Sequence, residues 1–449
     1  MKKILFLLAV LVVFSSCEQA VFTDSQGMSV RRKWTFIVYM AADNDLESAA
    51  IADLNELEAV KLSGAPVSIL ALVDRNPGFD MTNGNWSDTR LFEIKTDPSG
   101  LNSTIVSARL DCPELGLTKE TETELNTADP LVLSRLIDFA KRSYPAEQYA
   151  LFVWGHGTGW RSGPLAATSQ SSGKAVAFDD TQGHYMALPS FGRAIADKGL
   201  SLIGFDTCYA AVLELAYQIR NDAELFVGSE GEILSNGWDY TALFADFLKK
   251  PNLAVNDLGD SIQEQFAAQY AGLSNATISQ VRLPEVENLF EKFDAFAGAA
   301  AIAVTGEPAR KAVLDQLLHN VESYHFTSFP SDLYVDILDF SKKISGIRAD
   351  ITRDGTRQTA IAMAANELEI ALTHAVPSSW AKNGSTRKLG VHVIPLQGIA
   401  VPASSHEWAY VRGSMSIDKS AFVENSLHWV PNAVPQNDSL LDKLFYWTY

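Results

Sequence analysis

Tyr149-Ala-Leu-Phe-Val-Trp154 runs into Gly155-His156-Gly157, and Leu202-Ile-Gly-Phe205 runs into Asp206-Thr207-Cys208. Each is a short apolar run broken by Gly or Asp, the pattern of a strand buried on both faces of a parallel sheet. Ligands gather outside the carboxyl ends of such strands. The two breaks therefore set an imidazole and a thiol side by side at one end of one sheet. Acyl transfer by a thiol needs an acid to protonate the leaving amine, and imidazole does this near neutral pH. Taken singly, a strand-ending Cys reads as a small buried hydrophobe and a His as hydrogen-bonded scaffold. Together at paired strand ends, with Gly on both sides of His156, they read as a nucleophile and its acid–base partner.

The flanking sequence continues the same architecture. Trp34 to Met40 reads as a strand; Leu46, Ile51, Leu54, Leu57 and Val60 recur at helical spacing, and Val67 to Val73 is a second strand ending at Asp74. This βαβ alternation implies a parallel sheet. Asn76 to Asp88 reads as loop and Arg90 to Lys95 as a short strand. Asp129-Pro130 opens a helix with an N-cap acceptor and a first-turn Pro; Leu133, Leu136, Ile137 and Ala140 form its apolar face before Pro145. A helix from Pro189 to Ala196 leads into the Cys strand, and one from Ala211 to Ile219 follows Cys208, where its dipole would lower the thiol pKa. Glu224 to Gly228 reads as the next strand. Beyond Pro251 the pattern is helical over Asp257–Tyr270, Pro284–Ala300, Ala309–Tyr324 and Thr359–His374, while Thr277–Leu283 and Gly390–Pro395 are strand-like and either extend the sheet or build a second one. The aromatic stretch from Trp408 to Tyr449 reads as a strap over the core.

A chain of 449 residues, 47% hydrophobic and 20% charged, has an ordinary globular composition. Its formal charge of −18 argues against a nucleic-acid partner, since phosphate repels an acidic surface. At the start, Lys2 and Lys3 precede an apolar run from Ile4 to Phe14 and then Ser15-Ser16-Cys17. That is a secretory signal closing in the small-residue pattern of a lipoprotein cleavage site, with Cys17 as the lipidated residue. Residues 18–33 are polar and small, a tether. Cys112 and Cys208 then remain, and both are expected as free thiols.

The blocks Trp34-Thr-Phe-Ile-Val-Tyr-Met-Ala-Ala-Asp43-Asn44-Asp45-Leu46-Glu47, Gly155-His156-Gly157, Asp206-Thr207-Cys208 and Ser229 to Tyr240 together resemble the clostripain family of cysteine peptidases, over roughly Trp34 to Trp429. The His-to-Cys spacing also resembles that of caspases, where the His lies about 50 residues upstream. The resemblance implies a caspase-like α/β/α sandwich with a mostly parallel central sheet, in which residues 34–250 form the catalytic core and residues 251–449 a helix-rich C-terminal part of the same peptidase unit. It implies Cys208 as nucleophile, His156 as acid and base, and the backbone N–H groups of Gly157 and Cys208 as oxyanion donors. Asp206 lies two residues before the thiol, on the same side of an extended segment; it is either the partner of a substrate Arg or Lys or a strand-end cap. Glu230 and Asp239 are further candidates for that pocket. Asp43, Asn44 and Asp45 could order the site or hold the Ca2+ that some family members need, although no spacing here resembles a calcium loop; no cofactor is required. His184 and His392 read as structural.

The caspase signature after the nucleophile is absent, because Tyr209 and Ala210 follow Cys208. The expectation is a monomeric, exported, lipid-anchored cysteine endopeptidase acting on polypeptides after Arg or Lys. The loop from Arg161 to Lys174, small and polar with a basic residue at each end, is the expected place for self-cleavage. Rival readings are a catalytically silent surface lipoprotein that binds peptides or partners, and a thiol acyltransferase.

Overall fold

The computed structural model describes residues 32–159, 176–273, 276–304, 317, 323–326, 329–382 and 389–393, with the backbone of two short strands, β1 (Phe22–Thr23) and β2 (Ser29–Val30). Cys17, Arg161, Lys174, the Trp408–Tyr449 segment and nearly all of the helix expected over Ala309–Tyr324 lie outside these residues; Tyr324 itself is in a strand.

Two strand–helix–strand units set up the sheet. The first comprises β3 (Trp34–Ala42), α1 (Glu47–Glu58) and β4 (Val67–Arg75), with β5 (Thr89–Glu93) turning back antiparallel on β4. Next come α2 (Pro130–Ser143) and β6 (Gln148–Trp154); Asp129 caps α2 by accepting from the Leu131 N–H. A small hairpin follows, β7 (Val176–Asp179) and β8 (His184–Met186), then α3 (Leu188–Ile195), β9 (Leu202–Asp206), α4 (Leu213–Gln218) and β10 (Leu225–Gly228). The later segments are α5 (Tyr240–Phe247), α6 (Val255–Gln269), β11 (Thr277–Arg282), α7 (Val286–Val304), β12 (Ser323–Phe326), β13 (Phe329–Asp336), α8 (Ile337–Gly346), α9 (Arg348–Ile351), α10 (Gly355–Ala375), β14 (Ser378–Ala381) and β15 (Gly390–Val393).

The main sheet has eight strands in the order β14-β11-β10-β9-β6-β3-β4-β5. Its five central strands, β10 to β4, are parallel, and the antiparallel strands sit at the edges. Thr277–Arg282 thus extends this sheet, whereas Gly390–Val393 joins a second sheet of order β12-β13-β15. Two cores form on opposite faces because side chains alternate along each strand. Ile37, Tyr39, Leu151, Val153, Ile203 and Phe205 face one core with α2, α3, α4 and α7. Trp34, Phe36, Val38, Ala150, Phe152 and Trp154 face the other, with α1, α5 and α6. The result is the expected α/β/α sandwich.

Phe36 is fully buried, with edge-on contacts to Phe244 and Phe247 at centroid distances of 4.8 and 5.9 Å. Truncating it removes a large apolar area and leaves a cavity. Phe36→Ala should lower stability by about 3–5 kcal/mol. Urea titration checks this, and a shift of under about 1 kcal/mol would show that this layer is not the packing centre.

Candidate active site

His156 and Cys208 reach one place because β6 and β9 are adjacent, parallel and in register. Trp154 pairs with Asp206 at the last rung, so each chain leaves the sheet at the same level and presents its reactive residue two positions later. The two exits touch. A Cβ on Gly157 would lie 2.5 Å from the Cys208 carbonyl oxygen and 2.6 Å from Thr207 Oγ1, so only glycine lets the His loop lie this close to the Cys loop. Beyond Cys208, Tyr209 adopts φ 55°, an uncommon conformation for a bulky residue. It is held there by its N–H bond to the Gly231 carbonyl (3.0 Å) and by stacking on Tyr334 at 5.4 Å. Tyr334 in turn donates to the Thr158 carbonyl at 2.6 Å, tying the second sheet to the His loop.

Both dyad residues are half-buried. His156 Nε2 lies 2.6 Å from Asp45 Oδ1, and the edge of Phe178 meets the ring at 5.8 Å and 81°. The Cys208 thiol is bracketed by the backbone of Ile233, whose N–H approaches Sγ at 3.4 Å and whose carbonyl lies at 3.8 Å. Burial pushes this thiol up to about 11, against the pull of the Ile233 N–H. The sequence expected a helix dipole to lower it, but α4 begins at Leu213, a full turn of chain beyond the thiol, and burial prevails. Cys112 is free, fully buried and likewise pushed up to about 11 by burial.

Asp206 ends β9 with its carboxylate on the α1/α5 side. Its Oδ2 accepts from the Trp238 N–H and from the Tyr240 hydroxyl, both at 3.0 Å, while its buried Oδ1 has no hydrogen-bond partner. Burial pushes its pKa to about 7. Gly237, at φ 54°, packs on this carboxylate; a Cβ there would fall 2.5 Å from Oδ2. Asp53 stands close by, fully buried, accepting from Trp154 Nε1 at 2.6 Å; burial and then the Asp206 charge hold its pKa well above the carboxylate range. Glu56 accepts from the Tyr240 N–H and is pushed to about 7, chiefly by burial. Of the other two pocket candidates, Asp239 caps α5 by accepting from the Ala242 N–H at 2.7 Å, and Glu230 is fully buried with its N–H on Thr277 Oγ1. His184 Nδ1 pairs with Asn126 Nδ2 at 2.7 Å.

Among the described residues, one group of carboxylates could converge on a cation: Asp43, Asp74 and Glu124, with oxygens within 4.8 Å of one another. Asp43 already accepts from Asn76 and Thr181, and Asp74 from Thr89 and Thr127. Ca2+ takes six to eight oxygens. Three carboxylates, two of them already engaged by those donors, do not by themselves make that cage.

A model of the clostripain family matches residues 38–387. The chain belongs to the clostripain family. Clostripain of Hathewaya histolytica is 26% identical over 238 residues, a match covering 49% of this chain and 43% of that protein, so under half of the relative's length is spanned. Among solved structures, an inactive zymogen C11 protease from Parabacteroides distasonis superposes with a TM-score of 0.56 at 18% identity, covering 81% of this chain and 92% of that one. A secreted C11 cysteine protease from Bacteroides thetaiotaomicron, in complex with an irreversible peptide inhibitor, gives 0.55 at 20% identity, with 84% and 96% covered. Both likenesses show that the sandwich is the clostripain-family fold.

In this clostripain-family chain, sequence reading expected His156, Gly157, Asp206 and Cys208 at one sheet end, where the structure has them, but missed Asp53, Glu56, Tyr240 and Tyr334 as their neighbours. The helix carrying Asp53 and Glu56 holds Glu47, Ser48, Asn55 and Glu58 as well, so its sequence did not single them out. With the thiol raised to about 11, thiolate is scarce at neutral pH and accumulates as pH rises. Alkylation of Cys208 by iodoacetamide should therefore speed up about tenfold per pH unit between pH 7 and 10. Peptide mapping across that range checks it; a rate already at its plateau at pH 7 would mean the thiol is ionised there.

Proposed function

We propose that this protein is an exported cysteine endopeptidase that cuts polypeptides after Arg or Lys. The observation that carries the reading is the in-register exit of β6 and β9, which delivers His156 and Cys208 to loops in direct contact at Gly157. Sγ attacks the scissile carbonyl carbon, and the thiol proton passes to His156. The carbonyl oxygen gains negative charge, which the N–H groups of Gly157 and Cys208 stabilise. Collapse breaks the C–N bond; His156 gives its proton to the departing amine, leaving a thioester on Cys208. His156 then takes a proton from water, whose oxygen attacks the thioester, and the acid product and the thiol are released. Thiol, imidazole and backbone supply the whole sequence of steps, so no cofactor is required.

Specificity rests on Asp206. A buried carboxylate with one unpartnered oxygen is costly unless a charge or donor arrives. A substrate guanidinium supplies both, and its planar fork engages a carboxylate better than an ammonium does. Asp239 is committed to capping α5, while Glu230, buried like Asp206, stays the second candidate for this pocket.

Two measurements test this function. With fluorogenic peptides, Cys208→Ala should lose turnover at least 10³-fold while remaining folded, in line with removal of a nucleophile. Asp206→Asn should lower the Arg-to-neutral ratio of kcat/KM by tenfold or more, and EDTA should leave wild-type turnover unchanged. An active Cys208→Ala enzyme would point to a binding protein or a different chemistry; an unchanged ratio would remove Asp206 from the pocket.

The anchor and the maturation step belong to the same proposal. Cys17 carries the lipid, and the enzyme cuts its own loop at Lys174 or Arg161, after which it acts as a membrane-tethered monomer. What supports this is the Ser15-Ser16-Cys17 pattern and the basic residues bounding a small, polar loop. Among the described residues no helix is long and apolar enough to cross a membrane. Intact-mass analysis of membrane-purified protein should find diacylglyceryl-Cys17 in both wild type and Cys208→Ala, and two fragments meeting within residues 161–174 in the wild type alone. An unmodified first fragment, or an intact and fully active wild type, would overturn the respective half.

A further inference from the structure

We propose that Asp45 is the positioning residue of the dyad: its carboxylate holds His156 by Nε2–H and leaves Nδ1 as the ring nitrogen that moves protons. This deepens the peptidase reading and rests on it.

The argument begins with the ring. Imidazole has two nitrogens, and in the neutral form one donates while the other accepts. An ionised carboxylate only accepts, so the 2.6 Å contact between Asp45 Oδ1 and Nε2 requires the proton on Nε2. Asp45 is held ionised by that same hydrogen bond, which lowers its pKa. With Nε2 engaged, Nδ1 is the base for the thiol proton and the acid for the leaving amine. The anion beside the ring also stabilises the imidazolium that exists between those two transfers, as a carboxylate does in other triads.

The contact is built rather than incidental. Asn44, next to Asp45, donates from Nδ2 to the Ala41 carbonyl at 3.0 Å and to the Phe178 carbonyl at 3.1 Å, and its Oδ1 accepts from the Leu46 N–H. The Asp43 carbonyl accepts from the Asp180 N–H, and its carboxylate from the Thr181 N–H, both at 2.8 Å. These bonds pin the turn carrying Asp45 to the end of β3 and to the end of β7. β7 is the strand that supplies Phe178, whose edge fixes the other side of the ring. One clamp therefore sets both groups that orient His156. Among the described residues Asp180 also feels the His156 charge, and its carboxyl is raised chiefly by burial. The Asp45 side chain is 67% exposed, so the pair adds little to stability. Its effect is on ring orientation and proton placement, which separates it from a structural ion pair.

The test uses the full-length protein. Asp45→Ala and Asp45→Asn should reduce kcat for an Arg-containing fluorogenic peptide roughly 10²-fold, the scale of a general acid–base contribution, with KM within about twofold and an unchanged melting temperature. Asp45→Glu, which restores a carboxylate on a longer arm, should recover at least part of kcat. Independently of turnover, 15N-histidine NMR of Cys208→Ala should show a downfield proton on His156 Nε2 that disappears in the Cys208→Ala/Asp45→Ala double variant. If Cys208→Ala and His156→Ala are inactive while Asp45→Ala keeps kcat within twofold, or if the downfield proton sits on Nδ1, the positioning role is wrong and the peptidase reading stands. If Cys208→Ala keeps full turnover, the peptidase reading fails, and the NMR signal alone then decides whether Asp45 holds the ring.

Discussion

The site depends on the close approach of two loops that leave neighbouring strands at the same rung. Parallel pairing of β6 and β9 sets the level, and the absence of a side chain at Gly157 sets the gap: any Cβ there would overlap the Cys208 carbonyl and Thr207. His156 and Cys208 are both carried on those two exits. The surrounding packing keeps them in place. Tyr334 reaches from the second sheet to bond the Thr158 carbonyl and stack on Tyr209, so the part of the chain beyond residue 251 braces the loops on which the dyad sits.

A second constraint is electrostatic. Burial raises Asp206, Asp53 and Glu56 around Tyr240, and Asp74, Asp179 and Glu124 beside the end of β3. Burying a carboxylate costs several kcal/mol unless it is paired, hydrogen-bonded or protonated. The groups near β3 meet that cost with Thr, Asn and backbone donors. Asp206 differs, since donors engage one oxygen and leave the other bare. That asymmetry is what a binding carboxylate needs: a fixed orientation and a spare acceptor. A cationic side chain arriving there would favour ionisation of Asp206, so binding and the charge that drives it reinforce one another.

Much of this was legible in the residues. The βαβ alternation, the Asp129 cap and the apolar runs ending in reactive side chains gave the parallel sheet and the placing of His156 and Cys208 at one end of it, because buried parallel strands leave a period-free apolar signature that survives without tertiary information; the sandwich came from the family resemblance. The hairpin Val176–Asp179/His184–Met186, the helix Tyr240–Phe247 and the strands Phe329–Asp336 and Ser378–Ala381 were not read, being short or mixed in composition and stabilised by what they pack against. The thiol was misjudged for a similar reason. A helix was read from Ala211, but the helical turn begins at Leu213, and although the Ser229–Tyr240 loop was expected at the pocket, nothing in its sequence showed that the Ile233 backbone would cover Sγ. Asp45 was visible as part of an acidic turn, yet its partner became apparent only when β3 and β6 lay side by side.

The most direct test of the account is a crystal structure of the protein after reaction with a peptidyl-arginyl acyloxymethyl ketone. The account predicts a thioether at Cys208 Sγ, the inhibitor carbonyl oxygen facing the Gly157 and Cys208 N–H groups, and the guanidinium on Asp206 Oδ1. An adduct on another residue, or an arginine side chain bound away from Asp206, would contradict it.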